Sequence, residues 1–600
     1  MKRIFIILML AVAIVSAHAQ QTDKRLKGLD KELNKVLKEL QPAGFAVAVV
    51  EKDKVIYSRG FGYRDYEEKI PVDENTLFAI GSCTKSFTTS LIGMLEEEGE
   101  LSLNDKPSLH IPGFSFSNEE MNSNIRIKDM MSHGTGLPRH DFSWYFFPGK
   151  TKKDLLMRVA EQDPFTGVRE NWYYNNFMFL AQGVIVEEIT GKSWEDNIRE
   201  KIFEPLGMER SNLSIAEMKK SDNVSFGYQL EEDDNIEKMD YYNIGSMSPA
   251  GSINSSAEEM SHWLKTWIHG GKYKDEQVIP SAFVQKAISS QIVASSALPD
   301  KDHPGIHITN YGYGWFISSY KGHYRAAHGG NIDGFSADAC IFPSDSIGIA
   351  VLTNQNSSVV PNVVRNIVSD RIFDLEKTNW IKEAKKELEK AVKAQKEMQE
   401  TSGSNRIKGT KPSHSLKDYT GSYSNKGYSS FNIKLSGDSL YAELPLHKYW
   451  LRHHHYDVFE PVEMKENGAD TTQNIQLLFN FTSTMAGEIS GVKVKMEPTI
   501  NPITFKRTPE IVEVEKETLE KYPGSYDLMG TEIKVYIKDD DKLFVLVPGQ
   551  PEYELLSTGN NKFSIKVLDG YSVEFVEGKD NKINALKFIQ PNGIFTANRK

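Results

Sequence analysis

Hydrophobic and polar positions change texture several times along the chain. Phe45-Ala-Val-Ala-Val-Val50 and Lys54-Val-Ile-Tyr-Ser58 flank Glu51-Lys-Asp-Lys, which is close to turn chemistry, so residues 44–63 read as two strands. From Ser82 to Glu98 the period lengthens. Phe87, Leu91, Met94 and Leu95 fall on one face and predict an amphipathic helix. Two more helices are predicted, over 177–190, ended by Gly191, and over 257–270. Strand-like runs return at Tyr311–Ile317, Ser336–Ile341 and Gly348–Thr353. Strands at both ends with helices between predict an α/β (α+β) domain: an antiparallel sheet flanked by helices, with a helical insert.

Asn379–Gln399 reads as a charged helix, and Thr401–Pro412 as a Gly/Ser/Lys-rich linker. Short alternating strands follow, and they contain a repeat. Leu416-Lys-Asp-Tyr-Thr-Gly-Ser-Tyr423 returns as Leu519-Glu-Lys-Tyr-Pro-Gly-Ser-Tyr526, and Ile503-Thr-Phe-Lys-Arg507 resembles Phe595-Thr-Ala-Asn-Arg599. Two all-β, barrel- or sandwich-like modules are expected. The domain reading is a targeting segment over 1–19, a catalytic domain over 24–376, helix and linker over 377–412, and β modules over 413–508 and 514–600.

At 600 residues the chain needs more than one core. Its net charge of −11 argues against nucleic acid and against an anionic membrane surface as partners. Lys2 and Arg3, the apolar run Ile4–Val15 and Ala17-His18-Ala19 form the pattern of a cleaved signal peptide, predicting export to the periplasm or medium. The apolar run is too short for a comfortable bilayer span, so no membrane anchor is expected after cleavage. With two cysteines, Cys83 and Cys340, no disulfide framework is expected, and Cys83 reads as a small buried filler.

Candidate chemistry begins at Gly81-Ser82-Cys-Thr-Lys85. A serine and a lysine three apart at a helix start share one face, and the helix N-terminus favours developing negative charge. A serine hydroxyl needs such a neighbour to take its proton. The spacing recurs at Ser318/Lys321 and Ser490/Lys493. Tyr174-Asn175-Asn176 offers a phenol near cations as a proton acceptor. That pattern recurs at Tyr241-Tyr242-Asn243 and Tyr423-Ser424-Asn425. His328-Gly329-Gly330-Asn331 offers a strand edge open to close backbone approach. Its histidine could bind a carboxylate or sustain a proton network. Met131-Ser-His-Gly-Thr-Gly-Leu-Pro138, Pro249-Ala-Gly251 and Tyr311-Gly-Tyr-Gly-Trp315, read as opening a strand, add loops to the series. His453-His454-His455 reads as a solvated turn rather than a metal site, and neither metal nor cofactor is expected.

Taken in order, Ser82-Cys-Thr-Lys85, Ser132-His-Gly-Thr-Gly-Leu-Pro138, Tyr174-Asn-Asn176, Pro249-Ala-Gly251 and His328-Gly-Gly330 resemble the serine β-lactamase-like family of the class C type. That family includes penicillin-binding D,D-peptidases, D-aminopeptidases and esterases. The resemblance covers roughly residues 30–370, and the C-terminal part resembles the lipocalin-like modules often attached to such hydrolases. It implies Ser82 as acylated nucleophile, with Lys85 and Tyr174 sharing the proton work. It implies Asn176 as a partner of Lys85 and of a substrate amide, with the amides of Ser82 and Asn331 beside Gly330 as an oxyanion hole. His328 stands where many β-lactamases of this family carry the lysine of Lys-Thr-Gly, and the histidine form is more typical of its esterases and peptidases.

Arg139-His-Asp-Phe-Ser-Trp144-Tyr145-Phe-Phe147 and Trp172-Tyr173 would make an aromatic cleft, with Arg139, Trp144, Tyr145 and Trp172 as candidate lining. Such a pocket favours an apolar acyl group or flat alcohol, while Arg139 could instead hold a carboxylate. The leading expectation is an exported esterase or D-amino-acid peptidase acting on a small molecule or short peptide. Alternatives are an acyltransferase to a hydroxyl or amine, a β-lactamase or D,D-peptidase, and a non-catalytic binding or sensor protein.

Overall fold

The computed structural model describes residues 23–231, 235–404, 406–465, 468–470, 477–508, 511–539, 541–559, 561–568, 571–590 and 592–600. The targeting pattern lies outside them. In chain order the principal elements of the first domain begin with α1 (Leu29–Leu40), β1 (Gly44–Glu51), β2 (Lys54–Asp65), β3 (Ile70–Pro71), α2 (Thr84–Glu98), α3 (Phe177–Thr190) and α4 (Ala257–Ile268). They continue with β4 (Ile292–Ser295), β5 (Ile306–Tyr311), β6 (Phe316–Tyr320), β7 (His323–Ile332), β8 (Phe335–Phe342), β9 (Ile347–Thr353), α5 (Val360–Ile372) and α6 (Trp380–Ser404).

The strands form one antiparallel sheet in the order β4-β5-β6-β7-β8-β9-β1-β2-β3. Both faces of its centre are covered. Ala46, Ala48 and Val50 of β1 pack with α2, α3 and α4, while Phe45, Val47 and Val49 pack with α1, α5 and the start of α6. Side chains alternate across a strand, so a doubly covered strand reads as a continuous apolar run. Trp380 docks α6 through Nε1–H to Asp370 Oδ2 at 2.8 Å.

Two expectations need correction. The Ser82 helix is not amphipathic: Thr84 to Leu95 are all buried. Its hydroxyls counterfeit a polar face, because they are satisfied internally. Ser86 and Ser90 donate to the helix backbone, and Thr88 donates to Pro249 O at 2.7 Å. Tyr311–Ile317 is not one strand. It breaks at a turn between β5 and β6, where Gly314 adopts φ +78° against the backbone of Lys85 and Ser86.

After α6 come two eight-stranded barrels, one built from strands between Gly421 and Thr508 with a short extra strand, the other from Gly524 to Arg599. The repeat occupies equivalent places in both. Tyr423 O–H donates to Tyr419 O and Tyr526 O–H to Tyr522 O, each at 2.7 Å. Tyr423 pairs with Arg507, and Tyr526 with Arg599, where each barrel closes. The histidine triplet ends a strand rather than forming a turn. A bulge between His453 and His455 leaves His454 as the buried one, and no cluster of three or more metal-binding groups occurs among the described residues.

The first barrel is corked by the first domain. Phe146 and Phe147 join its core, and the Phe147 ring lies 6.1 Å from Phe505 and 6.4 Å from Phe431. Emptying that position removes a buried ring without removing any hydrogen bond. Phe147→Ala is expected to cost about 3–5 kcal/mol. Differential scanning calorimetry should show the transition involving the first barrel moving to lower temperature. An unchanged thermogram would contradict the packing described.

Candidate active site

Ser82 sits on a 3₁₀ turn, Gly81–Cys83, that runs into α2, so Lys85 in the first turn of the helix projects beside it. The Lys85 side chain is fully buried. Its Nζ lies 2.7 Å from Ala250 O, 2.8 Å from Asn176 Oδ1 and 3.0 Å from Ser82 Oγ. All three partners are uncharged. Burial, seconded by the nearby Arg139 cation, holds the Lys85 pKa well below the ordinary lysine range, while Asp141 pulls the other way.

That environment favours the free amine over the ammonium, and in the free-amine form the directions of the hydrogen bonds are fixed. A neutral amine has two hydrogens and one lone pair. Asn176 Oδ1 and Ala250 O can only accept, so they take both hydrogens. The lone pair is left facing Ser82 Oγ, whose proton it can accept. The Pro249-Ala-Gly251 loop therefore supplies a site atom, a carbonyl oxygen that residue identity alone could not single out.

The Tyr174 ring lies 4.8 Å from Lys85 Nζ and 4.9 Å from Arg139 Cζ. Burial pushes its phenol above the usual tyrosine range, although the nearby Ser82 hydroxyl and the Arg139 cation both favour the ionised form. It is thus a phenol at neutral pH, suited to passing a proton on. The neighbouring Asn175 is structural: it takes the Ser132–Pro138 loop through Nδ2–H to Pro138 O and caps Met178 N at 3.2 Å. Its own N–H donates to His133 Nδ1 at 3.1 Å. His133 is buried against Tyr174, with ring centroids 4.4 Å apart, and burial holds it neutral.

β7 comes down on the nucleophile turn. A Cβ built on Gly330 would lie 1.9 Å from Ile80 O and 3.0 Å from Ser82 N; one on Gly81, at φ +49°, would lie 2.8 Å from Asn331 N. Only glycine lets these two backbones meet. The Asn331 side chain accepts from Ser336 Oγ at 2.6 Å. His328 does not present a charge. It is 2% exposed, its Nε2 is 2.9 Å from Tyr311 O–H and its Nδ1 2.6 Å from Gly329 O. Burial and Lys85 lower its pKa to about 3. Cys83 fills space beside it, with Sγ 3.1 Å from His328 O, and both cysteines are free thiols.

A cleft of about 780 Å³ opens at Ser82, walled by Arg139, Phe142, Trp172, Tyr173, Tyr174 and Phe316, with Glu497, Pro498 and Thr499 of the first barrel opposite. Of the four candidate lining residues, Arg139 and Trp172 are there; Trp144 and Tyr145 are not among its walls. Tyr145 stacks on Tyr242 at 4.7 Å and donates to Asp333, and Trp144 packs edge-on to Tyr242 while donating Nε1–H to Asp141 Oδ1 at 2.8 Å. The short helix Phe142–Tyr145 is the cause, since it turns alternate aromatics in different directions. Asp141 and Glu497 escaped the sequence reading. Asp141 accepts from Asn176 Nδ2 at 2.9 Å and from Arg139 Nε, and only its nearness to Arg139 hinted at it. The repeats of the two short motifs are decoys: Lys321 pairs with Asp370 at 2.8 Å, Ser490 donates to Thr482 O at 3.1 Å, Tyr241 donates to Ser225 O at 2.6 Å, and Tyr423 lies in a barrel core.

A family model described as Beta-lactamase matches residues 29–370, and one described as a domain of unknown function, DUF3471, matches residues 405–507. Protein flp of Staphylococcus aureus (strain MW2) is 28% identical over 330 residues, covering 54% of this chain and 62% of that protein. The chain thus spans under two thirds of that relative. Unguisins hydrolase ungD' of Aspergillus campestris is 28% identical over 432 residues, covering 68% of this chain and 78% of that protein. The structure of the octameric penicillin-binding protein homologue from Pyrococcus abyssi aligns with a TM-score of 0.54 at 21% identity, covering 80% of this chain and all of that one, a likeness of fold.

The electrostatics give a signed expectation. The useful form of Lys85 is the free amine, which appears as pH rises through its lowered pKa. Arg139 disfavours the ammonium, and removing it also leaves Asp141 uncompensated; both changes raise the Lys85 pKa. In Arg139→Gln the acid limb of Ser82 acylation by an activated ester should therefore move to higher pH. A limb that stays put, or moves lower, would mean that Lys85 is not the group titrating.

Proposed function

Because the chain belongs to the Beta-lactamase family, whose fold carries serine hydrolases, we propose that it is an exported acyl hydrolase forming a Ser82 acyl-enzyme from small esters or amides with an apolar face. One observation carries the reading: Lys85 Nζ, fully buried and hydrogen-bonded to uncharged partners alone, lies 3.0 Å from Ser82 Oγ, where its free-amine form can accept the serine proton.

In this mechanism Ser82 Oγ attacks the acyl carbon as its proton passes to Lys85 Nζ. The amides of Ser82 and Asn331, brought together at Gly81 and Gly330, receive the developing oxyanion. The new ammonium, buried among uncharged partners, gives its proton back readily. Tyr174, a phenol in contact with Ser82, relays it to the leaving oxygen or nitrogen. Water then repeats the sequence in reverse order and frees Ser82.

The cleft supports an uncharged, apolar acyl substrate. Trp172, Tyr173, Phe142 and Phe316 supply apolar wall. The histidine at the third motif is neutral, and the cleft's Arg139 is already paired with Asp141. A substrate carboxylate, as on a β-lactam or peptidoglycan stem, would thus meet no free cation at these positions. A second reading, an amidase for D-amino-acid derivatives, is favoured by Glu497, a carboxylate of the cleft wall that could face a substrate ammonium. The name of the fungal relative, a hydrolase, agrees with hydrolysis as the net reaction. Export is part of the proposal and rests on the pattern of Lys2, Arg3, Ile4–Val15 and Ala17-His18-Ala19.

Short-chain p-nitrophenyl esters and D-aminoacyl p-nitroanilides test both readings side by side with Ser82→Ala. Steady turnover lost at least ~1,000-fold in the variant is expected, since the nucleophile acts only in the chemical step. Faster turnover of the esters supports the apolar reading, and faster turnover of the anilides the amidase. Equal release by both proteins would remove Ser82 from the mechanism.

A further inference from the structure

A run of hydrogen bonds joins the first barrel to the nucleophile. Glu497 lies between the barrel strands Ile489–Val494 and Ile503–Thr508, and its Oε1 accepts the Asp141 N–H at 2.8 Å. Asp141 Oδ1 accepts from Asn176 Nδ2 at 2.9 Å, and Asn176 Oδ1 accepts from Lys85 Nζ at 2.8 Å. Lys85 Nζ lies 3.0 Å from Ser82 Oγ. The bond from Glu497 spans 356 positions of sequence.

The first three links each have only one chemically sensible direction. A carboxylate accepts and cannot donate, so Asp141 obliges Asn176 to turn Nδ2 toward it and Oδ1 toward Lys85. With the amide reversed, an NH₂ group would face the amine. Lys85 would lose an acceptor, and its lone pair would be drawn to Asn176 instead of Ser82. The orientation of one amide therefore decides whether the base points at its proton, and Asp141 decides that orientation.

Asp141 needs holding. Its side chain lies at the edge of the cleft, 21% exposed, and its carbonyl begins only a four-residue helix, Phe142–Tyr145. Glu497 fixes its main chain from outside that helix. Glu497 itself is 9% exposed, and a carboxylate in so dry a place must be hydrogen-bonded. The barrel grips the same segment again beyond Asp141, where Ser143 Oγ donates to Gly427 O at 2.5 Å.

We propose that Glu497 is a positioning residue of the acyl-transfer site: by fixing Asp141 it orients Asn176 and, through it, aims the Lys85 lone pair at Ser82. The first barrel is then part of the reaction machinery. This rests on the Ser82 mechanism given above.

The test uses the full chain with Glu497→Ala and Glu497→Gln. Two rates are read in each: turnover of an uncharged p-nitrophenyl ester, and labelling of Ser82 by a fluorophosphonate followed by mass spectrometry. The ester carries no ammonium, so any direct role of Glu497 in holding one drops out. Glu497→Ala should lower kcat roughly 100-fold with KM little changed, the size of effect that a misplaced catalytic group produces. It should slow labelling alongside. Glu497→Gln should restore both rates, because its Oε1 accepts the same N–H. Wild-type kcat and labelling in Glu497→Ala would overturn the inference and leave the Ser82 mechanism standing. A Glu497→Gln protein that folds but is as slow as Glu497→Ala would overturn it too. No labelling of Ser82 in the folded wild-type protein would sink the mechanism itself, and the inference with it.

Discussion

The burial of one amine governs this site. Lys85 lies fully out of water with an amide oxygen, a main-chain carbonyl and a hydroxyl as its nearest partners. None of these carries the charge that would stabilise a buried ammonium, so desolvation disfavours the charged form. Other features follow from keeping that amine dry and aimed. α2 is enclosed on every side, its hydroxyls spent on backbone carbonyls and on the indoles of Trp194 and Trp263. Thr88 holds Pro249, and so places Ala250 O, from the same helix that carries Lys85. Burial holds the third-motif histidine neutral as well. Two cations this close and this dry would each make the other costlier.

The second constraint is distance. Two backbones that approach as closely as Ile80–Ser82 and Gly330–Asn331 leave no room for a side chain at Gly81 or Gly330. β7 is held in place to do this by pairing with β8 from Ala326 to Ile332, and β8 pairs in turn with β9 at the centre of the sheet. The sheet's job at the site is thus mechanical. A rigid, doubly covered sheet carries a strand end to the nucleophile turn, and a glycine pair lets it arrive.

What could be read from the sequence follows from which interactions are local. The start of α3 at Phe177 and its end at Gly191 were legible because the stop signal lies in the chain itself. Ser82 and Lys85 were legible because three residues of helix set their geometry. The polarity of α2 misled because hydroxyl residues look exposed in sequence and can be buried when the helix backbone satisfies them. Trp144 and Tyr145 misled because composition counts aromatics without giving directions, and a four-residue helix was enough to turn them away from the cleft. Glu497 was illegible in principle: its partner lies 356 positions away, and nothing near it in sequence differs from an ordinary barrel loop.

That separation bears on how the domains work together. Nine residues, Arg139 to Phe147, serve both domains: Arg139, Asp141 and Phe142 face the cleft, while Phe146 and Phe147 fill the mouth of the first barrel. A segment anchored in a barrel core at one end cannot shift freely at the other. The aromatic cork supplies apolar burial, a non-directional force that brings barrel and sheet domain together. The polar contacts from Gly427, Tyr428 and Glu497 then fix the angle at which they meet. The second barrel repeats the Tyr-to-carbonyl lock of the first, yet none of its described residues lines the cleft. Duplication of the barrel frame thus left one copy bound to the chemistry and the other outside it, and the difference lies in the loops rather than in the strands.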